Sequence, residues 1–255
     1  MTTSDLPRIL WIVRHGQSAG NVASEAAEAQ GLESVDIATR DIDVPLSELG
    51  RRQAQSLGRW FGQLDATARP EVVLCSPYIR AHDTARLLLE AGELATEVLL
   101  RLDERLREKE FGILDRLTHL GIRQQYPQLY EQRTRVGKFY FRPPGGESWC
   151  DVILRLRSLL EMITREYAGK KVLVVAHQVI VNCMRYLVEH MNESQILIID
   201  RNGAVPNCGV TSYKAGGGAV PDSYMQIDLV NFVVPLEQEG TAVTSAPDVP
   251  AAPKP

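Results

Sequence analysis

Arg8-Ile9-Leu10-Trp11-Ile12-Val13-Arg14-His15-Gly16-Gln17-Ser18 joins an apolar run to a cluster of polar residues near the start of the chain. The run from Ile9 to Val13 is apolar throughout, as in a parallel strand that helices cover on both faces. Gly16 permits a sharp turn directly after the run. We therefore expect Arg14 and His15 at the carboxyl end of a strand, where open α/β sheets bind their ligands.

This polar cluster has the chemistry of a phosphate site. The guanidinium of Arg14 matches phosphate oxygens, and the imidazole of His15 is nucleophilic near neutral pH. The segment from Ser18 to Asn21 can begin a helix whose first amides also face an anion. The alternative is an ordinary turn with the arginine in solvent, so the rest of the chain has to decide between the two.

Length and composition restrict the class of protein. A chain of 255 residues can bury one sizeable core, and a net charge of -4 argues against a nucleic acid or a membrane as the main partner. We expect a small phosphorylated metabolite as the ligand. The N-terminus lacks a basic segment followed by a long apolar one, and the four cysteines are widely spaced, so we expect a cytoplasmic protein with reduced thiols. Ligand clusters with metal spacing are lacking, so no metal or other cofactor is expected, and the oligomeric state stays open.

Two later strands also end in groups that bind anions. The segment from Glu71 to Cys75 is expected to be a short buried strand, and it leads into a helix that extends to about Glu90 and carries Arg80 in its first turn. The central strand from Val172 to Val175 ends at His177-Gln178, before a helix from about Val179 to Met191. A solvent-facing arginine and a packed histidine are the alternatives for each residue alone. Because two histidines and two arginines occur in the same kind of turn, we favour a common phosphate site over a coincidence.

Three phrases resemble one known family. They are Arg14-His15-Gly16-x-Ser18-x-x-Asn21, Leu46-Ser47-x-x-Gly50-x-x-Gln53-Ala54 and Ser76-Pro77-x-x-Arg80-Ala81-x-x-Thr84-Ala85, and they resemble the motifs of the histidine phosphatase superfamily, also called phosphoglycerate mutase-like. The resemblance covers about residues 8–232. It implies an α/β fold, a three-layer α/β/α sandwich with a mostly parallel central sheet and an inserted helical cap. It also implies His15 and His177 as catalytic residues, with a substrate site formed by Arg14, Ser18, Asn21, Arg80 and Gln178.

A charged run supplies three carboxylates for the role of general acid and base: Glu104, Glu108 and Glu110. Their charge alone does not show which of them has this role, and most charged runs of this kind lie on a solvent-exposed surface. The resemblance selects Glu108, because the family's glutamate follows a Leu-x pair and precedes a glycine by four positions, as Glu108 precedes Gly112.

The cap insert is expected at about residues 113–147, with a helical segment from Leu117 to Arg135 that Tyr126-Pro127 interrupts. Its residues Tyr126, Lys138 and Arg142 can bind a second polar part of a substrate, although exposed basic loops often bind nothing. The catalytic domain is expected to span residues 1–236. Residues 237–255 are rich in Ala and Pro and are predicted to be a disordered tail, and the glycines at 216–218 a hairpin tip.

Together these residues predict a metal-independent phosphatase that hydrolyses small phosphomonoesters, such as sugar or glycerate phosphates, through a phosphohistidine. The region from Lys138 to Ser148 and the phrase Ala176-His177-Gln178 most resemble the fructose-2,6-bisphosphatase branch. Two alternatives stay open. One is a phosphoglycerate mutase type of phosphotransfer, and the other is a phosphate-binding module without catalysis.

Overall fold

The structure is a computed structural model that describes residues 6–216 and 225–247. Its centre is a six-stranded sheet in the order β3-β2-β4-β1-β5-β6. The strands are β1 (Ile9–Arg14), β2 (Val72–Cys75), β3 (Leu99–Leu102), β4 (Lys171–Ala176), β5 (Val210–Ala215) and β6 (Met225–Phe232). Neighbours among β1 to β4 pair in parallel, whereas β5 pairs antiparallel with both β1 and β6.

Helices cover both faces of this sheet. Within the described residues they are α1 (Ala19–Ala29), α2 (Glu48–Gln63), α3 (Ile79–Ala91), α4 (His119–Gln125), α5 (Pro127–Val136), α6 (Trp149–Glu166), α7 (Gln178–Val188), α8 (Glu193–Asn202) and α9 (Val234–Gln238). Leu10 and Ile12 of β1 pack in one apolar cluster with α6 and α7, and Trp11 and Val13 pack in another with α2 and α3. Because alternate side chains of β1 enter opposite layers, the three-layer α/β/α prediction is confirmed.

The register of the parallel strands brings their carboxyl ends together. Arg14 at the end of β1 pairs with Ala176 at the end of β4, and Cys75 at the end of β2 pairs with Val175. The next strand, β3, pairs with β2 through Leu102 opposite Cys75. The segments that follow β1, β2, β3 and β4 therefore leave the sheet at one edge.

The insert between β3 and α6 forms a small helical cap. Its helices α4 and α5 are separated at Tyr126, which confirms the predicted break, because Pro127 cannot continue α4 and instead begins α5. Leu114, Leu117, Ile122 and Phe141 form the cap's own apolar cluster.

The C-terminal part differs from the sequence prediction. Residues 237–247 were expected to be disordered, but α9 extends to Gln238 and the irregular segment 241–247, here called the strap, lies against the domain through polar contacts. Ordered segments are recognised in a sequence by the periodic spacing of apolar residues. The strap has no such spacing, and hydrogen bonds hold it in place instead. Residues 248–255, and residues 217 and 218 of the predicted hairpin tip, lie outside the described part. Over the described ranges, the helices are too short or too polar to cross a bilayer.

Candidate active site

Two histidines lie side by side at the edge where the strands end. His15 follows β1 and His177 follows β4, both are fully buried, and their ring centroids are 5.2 Å apart. The Nδ1 atom of His15 is 2.7 Å from the carbonyl oxygen of Gly16. A carbonyl only accepts hydrogen bonds, so Nδ1 carries the proton in the neutral ring and the lone pair is on Nε2. His15 is therefore held in the tautomer that can attack through Nε2.

The turn after β1 is packed against its neighbours without space for a larger residue. A Cβ atom on Gly16 would lie 2.4 Å from the carbonyl oxygen of Gly50 in the first turn of α2. The amide of Gly16 donates a 3.0 Å hydrogen bond to Thr84 Oγ1, and Thr84 in turn donates to the carbonyl of Arg80 at 2.7 Å. These contacts fix the His15 turn relative to the helix that carries Arg80.

Arg14 is fully buried and donates to two backbone carbonyls. Its Nη1 atom is 2.6 Å from the oxygen of Val205, and its Nη2 atom is 2.5 Å from the oxygen of Ala246 in the strap. Asn21 also donates to Ala246 O, at 3.2 Å, while it forms a capping box with Ser18 at the start of α1. The strap thus contacts two of the predicted substrate-binding residues.

Arg80 holds a carboxylate within the structure. Its guanidinium donates to both oxygens of Asp41, at 2.9 and 3.2 Å, and lies 5.0 Å from the centroid of the Tyr78 ring. The Tyr78 ring is in turn 5.1 Å from His177, whose Nε2 atom is 2.8 Å from Ser76 Oγ. The segment after β2 therefore contacts His177 through Ser76 and Tyr78, and it also carries Arg80.

The three candidate carboxylates occupy different environments. Glu108 is fully buried and accepts a 2.7 Å hydrogen bond at Oε1 from the amide of Lys109, whereas Glu104 and Glu110 are exposed. Tyr78 donates to Glu110 at 3.0 Å. Burial first, and then the charges of Glu110 and Asp41, raise the pKa of the Tyr78 hydroxyl, so this donor stays protonated.

Basic side chains gather on the cap side of Glu108. Burial lowers the pKa of Lys109 to about 8, the charge of Glu108 opposes this shift, and the nearby charges of Arg133 and Lys138 add to it. Lys138 contacts Asp200 at 2.5 Å. Burial also lowers the pKa of Arg133, against the charge of Asp200. These three basic and two acidic residues form a mixed cluster with a basic excess.

The remaining predicted binding residues are less closely grouped. Gln178 is the first residue of α7, directly after His177. Tyr126 joins α4 to α5 and packs on the apolar cluster of the cap. Arg142 is largely exposed and pairs with Asp151 at the start of α6, with 2.7 Å between Nε and Oδ2. Of the cap candidates, Lys138 is therefore the one whose charge acts on the neighbour of Glu108.

Several contacts were not anticipated from the sequence. Ser76 and Tyr78 lie within the motif from Ser76 to Ala85, so the sequence did point to this segment. Asp41 and the strap lie in segments without periodicity, and Lys109 is one basic residue in a charged run. Their contacts depend on tertiary structure. In the part of the chain that the structure describes, His, Cys, Asp and Glu do not gather in groups of three or more that could hold a metal ion.

Comparison with known proteins gives a consistent family. Residues 10–220 match the histidine phosphatase superfamily (branch 1). The chain is 32% identical over 208 residues to a 2,3-bisphosphoglycerate-dependent phosphoglycerate mutase 2 of Gloeobacter violaceus, which covers 78% of this chain and 83% of that protein. It is also 32% identical over 179 residues to a 6-phosphofructo-2-kinase/fructose-2,6-bisphosphatase of Caenorhabditis elegans, covering 70% of this chain but only 34% of that protein.

A solved structure agrees with this match. The structure of a mycobacterial glucosyl-3-phosphoglycerate phosphatase in complex with VO3 superposes with a TM-score of 0.66 and 26% identity, covering 88% of this chain and 99% of that one. The family match extends over most of the described sheet and includes the turns that carry Arg14, His15, Arg80, Glu108 and His177. The chain belongs to the histidine phosphatase superfamily.

Proposed function

We propose that this protein is a metal-independent phosphatase that hydrolyses small phosphomonoesters through a phosphohistidine at His15. The observation that carries the proposal is the buried pair of histidines, in which the Gly16 carbonyl holds the His15 ring with Nε2 as its basic atom. A nucleophile of this kind divides one difficult displacement into two easier ones.

The first step transfers the phosphoryl group to the protein. The Nε2–P bond forms as the ester P–O bond breaks, and Glu108 gives its proton to the leaving oxygen. In the transition state, negative charge is spread over the three equatorial oxygens of the phosphoryl group. Arg14, Arg80 and His177 stabilise this charge. Arg80 already binds the Asp41 carboxylate, so a phosphate would replace one anion by another.

The second step returns the site to its starting state. Glu108 takes a proton from water, the water oxygen attacks phosphorus, and the N–P bond breaks to release inorganic phosphate and neutral His15. The cluster of Lys109, Arg133 and Lys138 supports a substrate whose leaving group carries a second polar or anionic part. Sugar and glycerate phosphates have this character.

The test traps the intermediate. Brief incubation with a phosphate ester labelled at phosphorus, followed by an alkaline quench, should leave acid-labile label on the protein. The label should be lost in His15→Ala and kept in His190→Ala, whose histidine lies beyond the end of α7. Label that persists in His15→Ala would contradict the proposal. Activity should also persist in excess chelator, and its loss with recovery on adding Mg²⁺ or Zn²⁺ would refute metal independence.

A mutase is the second candidate, because the relative from Gloeobacter violaceus is named as one and matches over most of its length. The discriminating assay compares two rates on the same protein. We expect phosphate release from a panel of glycerate, glucosylglycerate and sugar phosphates to exceed the interconversion of 2- and 3-phosphoglycerate with a bisphosphoglycerate primer. The opposite ranking would favour the mutase.

A further inference from the structure

Glu108 lies in a segment without long regular structure, here called the Glu108 loop (residues 103–112). Short 3₁₀ turns flank the residue, but neither a helix nor a strand holds its backbone. A general acid works only when its oxygen lies within hydrogen-bond reach of the reacting group. The side chains that immobilise this loop therefore affect catalysis even when they are remote from the substrate.

Arg155 reaches the loop from α6. Its guanidinium donates to the backbone carbonyl of Glu108 at 3.3 Å and also to that of Arg105. The same guanidinium donates to both oxygens of Glu147, at 3.0 and 3.1 Å. One side chain on a rigid helix thus binds the main chain at Glu108 itself and three residues before it.

Glu147 binds the loop on both sides of Glu108. It accepts a 3.1 Å hydrogen bond from the amide of Glu110 and a 2.7 Å hydrogen bond from the Arg107 guanidinium. Its own amide donates to the carbonyl of Glu110 at 2.8 Å. Burial acts to raise the pKa of Glu147, but the hydrogen bonds and charge of Arg155, with the Glu110 amide and Arg107, hold that pKa below its usual value. The carboxylate is therefore ionised at neutral pH.

The two side chains share an ion pair with little exposure. Only 11% of the Arg155 side chain and 13% of the Glu147 side chain are exposed. A buried ion pair adds little net stability compared with an apolar pair of the same size, because both charges lose their hydration. Its fixed geometry does, however, orient the groups that it binds. Here those groups are the main chain at residues 105, 108 and 110.

We propose that Arg155 and Glu147 are positioning residues for Glu108, an inference that rests on the proposed function of Glu108 as acid and base. They hold the backbone on both sides of Glu108, and the Lys109 amide, fixed between them, directs Oε1 of the carboxyl group. Neither residue acts on the substrate. They act through the position of the Glu108 carboxyl group.

The test uses the dependence on the leaving group. An alkyl phosphate needs its leaving oxygen protonated, whereas an activated aryl phosphate such as p-nitrophenyl phosphate hardly does. We expect Arg155→Met and Glu147→Gln to lower kcat about 30-fold on the alkyl ester and less than about threefold on the aryl ester. Arg157→Met and Glu161→Gln, at exposed positions of α6, are the matched controls and should change neither rate.

A second arm places the same changes in a Glu108→Gln background. If the two residues act through Glu108, each should then cost less than about twofold on either ester, because residues that act as a unit are not additive. Should Arg155→Met fail to fold, Glu147→Gln, which keeps the side-chain volume, and Arg155→Lys carry the test.

The outcomes separate the two hypotheses. Equal losses on both esters in the single variants, or full losses retained in the Glu108→Gln background, would overturn the positioning role. If Glu108→Gln itself shows no dependence on the leaving group, the assignment of Glu108 as acid and base fails, which is a different result from failure of the positioning role.

Discussion

The two halves of the site are built by different means. Arg14, His15 and His177 sit at the ends of β1 and β4, where the strand register fixes their neighbours, and Arg80 follows β2 in the first turn of α3. Glu108 and the strap instead depend on side-chain contacts to backbone between distant segments. The first half will be called the strand-end half and the second the loop half. In the proposed mechanism the strand-end half acts on the transferred phosphoryl group, and the loop half acts, through Glu108, on the leaving group.

The largest effect is expected in the strand-end half. Arg14→Met should lower kcat/KM about 10³-fold on alkyl and aryl phosphates alike, because the guanidinium stabilises charge on the transferred group and not on the leaving group. Steady-state kinetics on both esters measure this. The exposed Arg52 of α2, changed to Met, is the control, and a loss limited to alkyl esters would break the distinction between the halves.

The next effect lies in the loop half and should depend on the leaving group. Glu108→Gln is expected to lower kcat about 10²-fold on an alkyl phosphate and much less on an aryl phosphate, because only the former requires a proton from the acid. Glu104→Gln is the matched control in the same loop, since this carboxylate is exposed. If Glu104→Gln shows the pattern instead, Glu108 is not the acid.

Removing the strap should have an intermediate effect. Arg14 and Asn21 each donate to the carbonyl of Ala246, and Gln53 donates to that of Ala242 at 2.9 Å. A chain that stops after Gly240 loses these acceptors, so we expect kcat/KM to fall about tenfold, the equivalent of one or two hydrogen bonds. A chain that stops after Pro247 keeps them and should retain its activity. Equal losses in the two truncations would show that the strap is not the cause.

The smallest change in turnover is expected at Lys109, together with a gain in stability. Its pKa is about 8 in the folded protein against 10.5 ordinarily, so the charged form costs stability below pH 8, and this cost declines as the pH rises from 8 to 10.5. Lys109→Met should raise the free energy of unfolding at pH 7 by about 1 to 3 kcal/mol, with a smaller gain at pH 10. Turnover of p-nitrophenyl phosphate should change less than about threefold.

Denaturant unfolding at the two pH values measures the Lys109 effect. Lys214→Met, at an exposed lysine, is the control and should show neither the gain nor its pH dependence. A gain at Lys109 that is the same at pH 7 and pH 10 would mean that apolar packing, and not the relief of a buried charge, is responsible.

The sequence predicted the strand-end half well, for a physical reason. An apolar run that ends at a glycine or at a helix start is a local signal, and parallel pairing then brings such ends together, as for His15 and His177. It did not predict the contacts of the loop half. Asp41 on Arg80, Arg155 on the Glu108 backbone and Ala246 on Arg14 join segments between which no local pattern exists. The helix α8 was also missed, because it follows α7 after a short interval without a strong breaker.

The contact between Arg14 and Ala246 joins residues 232 positions apart in the chain. The entropy of closing so long a loop has to be overcome before the contact forms, so we expect it to appear only after the sheet has assembled and to open before the sheet does. The amide of Asn207 reports this motion, because it donates to the carbonyl of Thr244 in the strap at 2.8 Å. It should exchange its hydrogen for deuterium faster than the amide of Ile12 within the sheet.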